Sequence, residues 1–232
     1  METSPNLVQF QHWGLIPYAP ALAQQEAIFN ALIASKAAEE AMPHTLIFCE
    51  HPPVYTIGRS GKLGNLLVSE ASLQASGITL ERIGRGGDIT FHGPGQIVAY
   101  PILDLSRFKT DIHWYLRTLE DAVIATLAHF GISAGRQHGL TGVWVGNAKI
   151  CAMGVKASRW VVMHGIALNV NTNLDYFSKI IPCNIPDKEV TSMAALLGTN
   201  LSLQAVEAIL LQNMADCFQF TISKDSNSAD TN

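Results

Sequence analysis

"RGGDITFHGPGQIVAYPILDL", residues 85–105, is the stretch on which the fold turns. Gly86, Gly87, Gly93, Gly95 and Pro94 crowd its first half around Arg85 and His92, and an apolar run over 96–103 fills its second half. Glycines let a backbone come close to a ligand and adopt positive φ. Two common glycine-rich ligand loops are nonetheless excluded. No Lys-Ser or Lys-Thr follows the glycines, so this is not a Walker loop, and the G-x-G-x-x-G spacing ahead of a helix is missing. A strand follows instead. Any ligand here is held by a loop between strands, and a plain hairpin turn is the alternative.

Working outward, "YAPALAQQEAIFNALIASKAAEE" (18–40) has helical apolar spacing and good helix formers, and Pro43 ends it. "HTLIFCEHPPVYTIG" reads as two short strands broken at Pro52-Pro53. "SEASLQASG" is a short helix with a Ser cap and a Gly stop, and "ITLERIG" alternates like a half-buried strand. Residues 111–130 form a second long helix stopped at Gly131. From 138 to 172 come three or four strands separated by turn signals, and Ser202 caps a last helix, "SLQAVEAILLQNMADCF". Strands clustered into meanders, with helices before, between and after them, define an α+β fold. One domain is expected over 1–220, with a small polar tail, 221–232, expected to be disordered.

The chain has 232 residues, 48% hydrophobic and 15% charged, enough for one substantial core. A net charge of −4 argues against a nucleic-acid partner. "METSPNLVQF" lacks the regions of a signal peptide, and the richest apolar stretch, 143–170, is interrupted by Lys149, Lys156 and Arg159. No membrane span is expected, and the setting is expected to be cytoplasmic. Cys49, Cys151, Cys183 and Cys217 form no C-x-x-C pair, which favours reduced thiols. With no H-x-H or H-E-x-x-H spacing, no metal is expected, and no cofactor either.

Two residues carry candidate chemistry. Cys183 lies between Pro182 and Pro186, which exclude a helix interior and disfavour a central strand, so the thiol sits on a stiffened loop. Lys149 lies in the apolar "GNAKICAMG". An edge lysine reaching solvent is the ordinary reading of it, and a buried one needs a partner. A free thiol has a pKa of about 8.5, and an adjacent ammonium stabilises its thiolate. A Lys149–Cys183 pair would therefore make a nucleophile with a proton shuttle, with His92 or His164 as the alternative base.

Taken together, "RGGDITFHGPGQIVAYPILDL", "AKICAMGVKASRWVVMHGIALNVN", "IIPCNI" and "VTSM" closely resemble the octanoyltransferase (lipoyl(octanoyl) transferase) family, in order, from about residue 10 to 215. The resemblance implies a mixed central sheet flanked by helices, like the biotin and lipoate protein ligase catalytic domains. It implies transfer of an octanoyl group from acyl carrier protein to a lysine of lipoyl domains, such as those of 2-oxoacid dehydrogenases and the glycine cleavage H protein. It places the acylated cysteine at Cys183 and its activator at Lys149. The substrate segments it implies are Arg85, Gly86, Gly87, Asp88, Ile89, Thr90, Phe91 and His92, then Ala152, Met153 and Gly154, then Gly165, Ile166 and Ala167. Asn184 and Ala152 replace the family's usual Gly and Ser. Tyr100, Ile150 and Leu168 are expected to line the acyl tunnel, and Arg59, Lys62, Arg82 and Arg85 either form a basic docking patch or are scattered surface charges. The competing reading is an ATP-dependent lipoate or biotin ligase of the same fold.

Overall fold

The structure is a computed structural model, and it describes residues 6–181 and 188–224. In chain order, β1 is Asn6–Leu15, α1 Tyr18–Ala37, β2 His44–Glu50, β3 Val54–Ile57, α2 Glu70–Ala75, β4 Thr79–Arg82, β5 Ile89–His92 and β6 Gln96–Asp104. Then come α3 Ile112–His129, β7 Gly135–Gln137, β8 Leu140–Val145, β9 Ala148–Ser158, β10 Val161–Asn169, β11 Glu189–Val190, α4 Met193–Leu197, α5 Leu203–Phe218 and β12 Phe220–Lys224.

Nine strands form one mixed sheet in the order β12-β1-β2-β6-β10-β9-β8-β7, with β11 added in parallel beside the start of β9. A three-stranded sheet, β4-β3-β5, stands apart from it. Every residue of the central strands β6 and β10 is buried, as expected for strands covered on both faces. On one face Leu119, Val123 and Leu127 of α3 and Leu210, Met214 and Phe218 of α5 pack on Phe48, Ile97, Ile166 and Leu168. On the other, Phe29 and Leu32 of α1 pack on Ile47, Val98, Tyr100, Ile102 and Met163. The mixed sheet flanked by helices is the architecture expected.

The caps explain the helix limits. The Asp111 side chain accepts from Trp114 N at 3.0 Å, and the Ser202 hydroxyl accepts from Ala205 N at 3.2 Å, each satisfying a donor that an α-helix leaves unpaired. The first helix ends at Ala37, short of Pro43, because Glu39 already takes a left-handed φ of 57°. Two expectations need correction. The apolar strand after the glycines is preceded by β5, since "ITFH" pairs with β3 and splits the loop in two. The tail drawn from residue 221 begins too early. Residues Phe220 to Lys224 pair in parallel with β1, where Phe220 and the half-buried Ile222 join the core. Among the described residues no helix is long and apolar enough to cross a membrane.

One local irregularity prepares the site. Pro101 in β6 has no N–H to give, and the β6–β10 ladder is interrupted between Val162↔Leu103 and Ile166↔Ala99. Opposite the gap, His164 adopts a φ of 62°. Next to it a Cβ on Gly165 would lie 2.3 Å from the Ala99 carbonyl oxygen, so only glycine fits.

Candidate active site

A cavity opens where β5, β6, β9 and β10 meet. Arg85, Gly87, Asp88, Ile89, Thr90, His92, Ala152, Met153, Gly154, Gly165, Ile166 and Ala167 all line it, three separate sequence segments brought to one place. Gly86 instead lines an adjoining open groove, with Lys62, Leu140, Lys149 and Val155. Phe91 alternates with Thr90 and His92 on β5 and faces away, stacked on Tyr176 at 4.5 Å. Of the three expected tunnel residues, Tyr100 lines the cavity. Ile150 and Leu168 do not: both belong to the core beneath α3 and α5. Tyr18 and Val98 also line it, unforeseen from sequence, and so does His164, which the sequence offered only as an alternative base. Arg85 is only 8% exposed and holds backbone oxygens, so it cannot serve the surface patch, whereas Arg59, Lys62 and Arg82 are exposed.

The cavity floor is polar but uncharged at its imidazoles. Burial pushes the pKa of His92 down to about 3, with His51 and Arg85 adding to the shift. Burial does the same for His164, down to about 3, with Arg85 and Lys156 adding, and for His51, down to about 4. Because the Ile16 carbonyl can only accept, the 2.7 Å contact places the His51 proton on Nδ1, and Nε2 then accepts from the Tyr100 hydroxyl at 2.7 Å.

A continuous hydrogen-bonded chain starts at the guanidinium. Arg85 Nη2 donates to Thr56 Oγ1 at 2.9 Å, and the Thr56 hydroxyl donates to His92 Nε2 at 3.3 Å. His92 Nδ1 donates to Gln96 Oε1 at 2.9 Å, and Gln96 Nε2 donates to Asn169 Oδ1 at 2.8 Å. Asn169 Nδ2 donates to the Thr191 carbonyl at 3.0 Å, and Thr191 N donates to the Lys149 carbonyl at 3.0 Å. His92 is thus a structural member of the floor. The buried neutral imidazoles of His92 and His164 are poor candidates for the alternative base.

Lys149 sits at the junction of these spaces. It is half-buried, lines the open groove, and lines a smaller cleft with Thr90, Ala152 and Ala167, which also border the main cavity. Its Nζ lies 4.7 Å from the centre of the Trp144 ring, a cation–π distance. Its backbone pairs with Val190 of β11. Cys183 lies outside the described residues, but the chain on either side of it is anchored. Before it, Ile181 N donates to the Asn65 carbonyl at 2.8 Å, and the Asn65 amide binds the Asp88 carboxylate. Asp88 also accepts from Lys62 N at 3.2 Å and Ile89 N at 2.7 Å. After it, Glu189 and Val190 pair with Ala148 and Lys149. The other thiols are set apart by burial, which pushes Cys49 and Cys151 well above the usual range; for Cys151 the nearby Lys149 pulls the opposite way without prevailing.

The arrangement offers a partly apolar cavity bordered by a cleft that holds the Lys149 cation. The lipoyl protein ligase A/B catalytic domain matches residues 17–215. An octanoyltransferase of Cytophaga hutchinsonii is 52% identical over 228 residues, covering 92% of this chain and 93% of the relative. The chain belongs to the octanoyltransferases of that domain family. In fold it is similar to a bi-partite lipoate protein ligase studied with its E2 lipoyl domain from Thermoplasma acidophilum, with a TM-score of 0.73 at 21% identity, covering 97% of this chain and 87% of that one. It is also similar to biotin protein ligase from Aquifex aeolicus, with a TM-score of 0.50 at 12% identity, covering 91% and 69%.

Proposed function

We propose that the chain moves an octanoyl group from the thioester of an acyl carrier protein to a lysine of a lipoyl domain, through a thioester on Cys183 with Lys149 as proton shuttle. The observation that carries the reading is the position of Lys149. It lines the open groove and the cleft that borders the main cavity, and it pairs with the strand that follows the Cys183 segment.

In the first step the Cys183 thiolate attacks the octanoyl carbonyl carbon, the donor's C–S bond breaks, and the departing thiolate takes a proton from the Lys149 ammonium. In the second step the neutral amine of the acceptor lysine attacks the new thioester. Its proton passes to Lys149 as the Cys183 thiolate leaves. The first exchange is close to even and the final amide is more stable than either thioester, so no nucleotide is consumed. The apolar cavity contributes about 0.8 kcal/mol for each methylene it takes from water. The buried Arg85–His92 chain holds the Thr90 side of the cavity and the start of β11 in one frame. The acceptors are the lipoyl domains of 2-oxoacid dehydrogenases and the glycine cleavage H protein. The reaction is placed in the cytoplasm, where the free thiols of Cys49, Cys151 and Cys217 stay reduced.

Mixing the full chain with octanoyl carrier protein, without ATP, should raise its intact mass by one octanoyl group, and Cys183→Ala should abolish the adduct. An adduct that persists in Cys183→Ala overturns the assignment. Product from octanoic acid and ATP, but none from octanoyl carrier protein, would make the chain a ligase instead.

A further inference from the structure

Strand β9 changes faces at its start. Trp144 of β8 pairs with Lys149 and Val143 pairs with Cys151, so β9 holds one extra residue, Ile150, against its neighbour. In a regular strand Lys149 and Cys151 would point the same way, and Cys151 is fully buried in the core. A one-residue bulge moves side chains to the opposite face. Ile150 and Cys151 therefore both enter the core, and Lys149 joins Ala152 on the cavity side.

The bulge has a specific support. Gly142, just before it on β8, adopts a φ of 117°, and a Cβ there would lie 2.6 Å from the Cys151 carbonyl oxygen and 3.5 Å from Lys149 Cε. Its N–H donates at 3.0 Å to Oε1 of Glu120, a carboxylate on α3 with no exposed surface. Oε2 of Glu120 accepts from Arg117 Nη1 at 2.5 Å and from Arg136 Nε at 2.6 Å. Arg136 is tied in turn to the Arg117 carbonyl at 2.8 Å and to Asp121 at 2.7 Å. Glu120 does not line the cavity, and the acyl transfer proposed above makes no use of it. A buried carboxylate whose second oxygen is saturated by two arginines, and whose first is committed to one backbone N–H, fixes that N–H in place.

We propose that Glu120 is a positioning residue for acyl transfer: through Gly142 it holds the β8–β9 bulge that turns the Lys149 side chain onto the cavity face. The proposal rests on the reading of Lys149 as activator of Cys183. A substitution that frees Gly142 lets β9 slip, and the ammonium is lost from the thiol without any change at Lys149 itself.

The test is the pH dependence of Cys183 alkylation by iodoacetamide in the full-length chain, followed by peptide mass. Lys149→Ala should shift the profile to higher pH. Glu120→Gln, nearly the same shape without the charge, should shift it in the same direction and slow alkylation at pH 7 by up to about tenfold, one unit of thiol pKa. It should add nothing in a Lys149→Ala background. A wild-type profile in Glu120→Gln, beside a shifted Lys149→Ala, overturns the proposal, and so does an equal shift in the Lys149→Ala background. If Lys149→Ala itself leaves the profile unmoved, the activator reading fails and this proposal falls with it. Should Glu120→Gln not fold, Arg136→Gln decides. That arginine is 35% exposed at its side chain, and its loss loosens the carboxylate while keeping the Gly142 bond. A smaller shift in the same direction supports the proposal, and a wild-type profile overturns it.

Discussion

On one side of Lys149, the chain from Arg85 through Thr56, His92, Gln96 and Asn169 carries its burial on neutral groups beyond the guanidinium. On the other, the buried carboxylate of Glu120 is paired with the partly exposed Arg117 and Arg136. Both end within one residue's reach of the lysine: the first at its carbonyl through Thr191, the second at Gly142 against its side chain. Neutral groups cost little to take from water once each has a partner, whereas ions cost several kcal/mol each and hold only as a complete set. The difference teaches where each cluster is weak. The neutral one is vulnerable to protons, and the ionic one to the loss of a member.

The largest expected effect tests the buried neutral imidazoles, His92 within that chain and His51 and His164 beside it. The folded imidazoles of His51, His92 and His164 have pKa values of about 4, 3 and 3, against 6.5 in an unfolded chain. Below pH 6.5 the unfolded state binds protons that the folded state refuses, so stability present above that pH is lost as the pH falls. Each histidine contributes about 1.4 kcal/mol per pH unit, which makes a loss of several kcal/mol between pH 6.5 and 4.5. The urea midpoint measured across that window reads it, and a flat midpoint would break the neutral half of the comparison.

Next in size, Glu120→Leu should lower unfolding free energy at pH 7 by about 1–3 kcal/mol, since it leaves the buried Gly142 N–H without its acceptor, while Arg117 and Arg136 can turn to solvent. Urea unfolding measures this, and no loss would show that the Glu120 carboxylate does not hold Gly142. Smallest is Arg136→Gln. Its partner Asp121 is 55% exposed, so the cost should be about 1 kcal/mol or less and should shrink further as salt is added. A large, salt-independent loss would place Arg136 inside the set rather than at its rim.

Much of this was legible in the chain. Asp111 and Ser202 mark helix starts, Pro52-Pro53 marks the break between β2 and β3, and Arg85 to His92 announce a ligand loop between strands. What stayed hidden depends on partners distant in sequence. β1 and β12 pair across more than two hundred residues, a contact with no local signature. Lys149 read more readily as an edge lysine than as a buried one, because its face is decided by Gly142 and by Glu120 in a helix about thirty residues earlier. Ile150 and Leu168 looked like tunnel lining for the same reason: an apolar residue beside a site residue gives no sign of which face it takes. His164 owes its unusual backbone to Pro101 on the neighbouring strand.

The extra residue in β9 makes the site depend on counting as well as on chemistry. Deleting Ile150 would change none of the side chains that touch substrate. It would also restore a regular register, in which Lys149 and Cys151 become neighbours and still take opposite faces. Keeping Ile150 while losing the bulge would instead put both on one face. A designer moving this strand into another sheet would therefore have to keep the extra residue and the bulge together, or drop both, before worrying about which residue stands there.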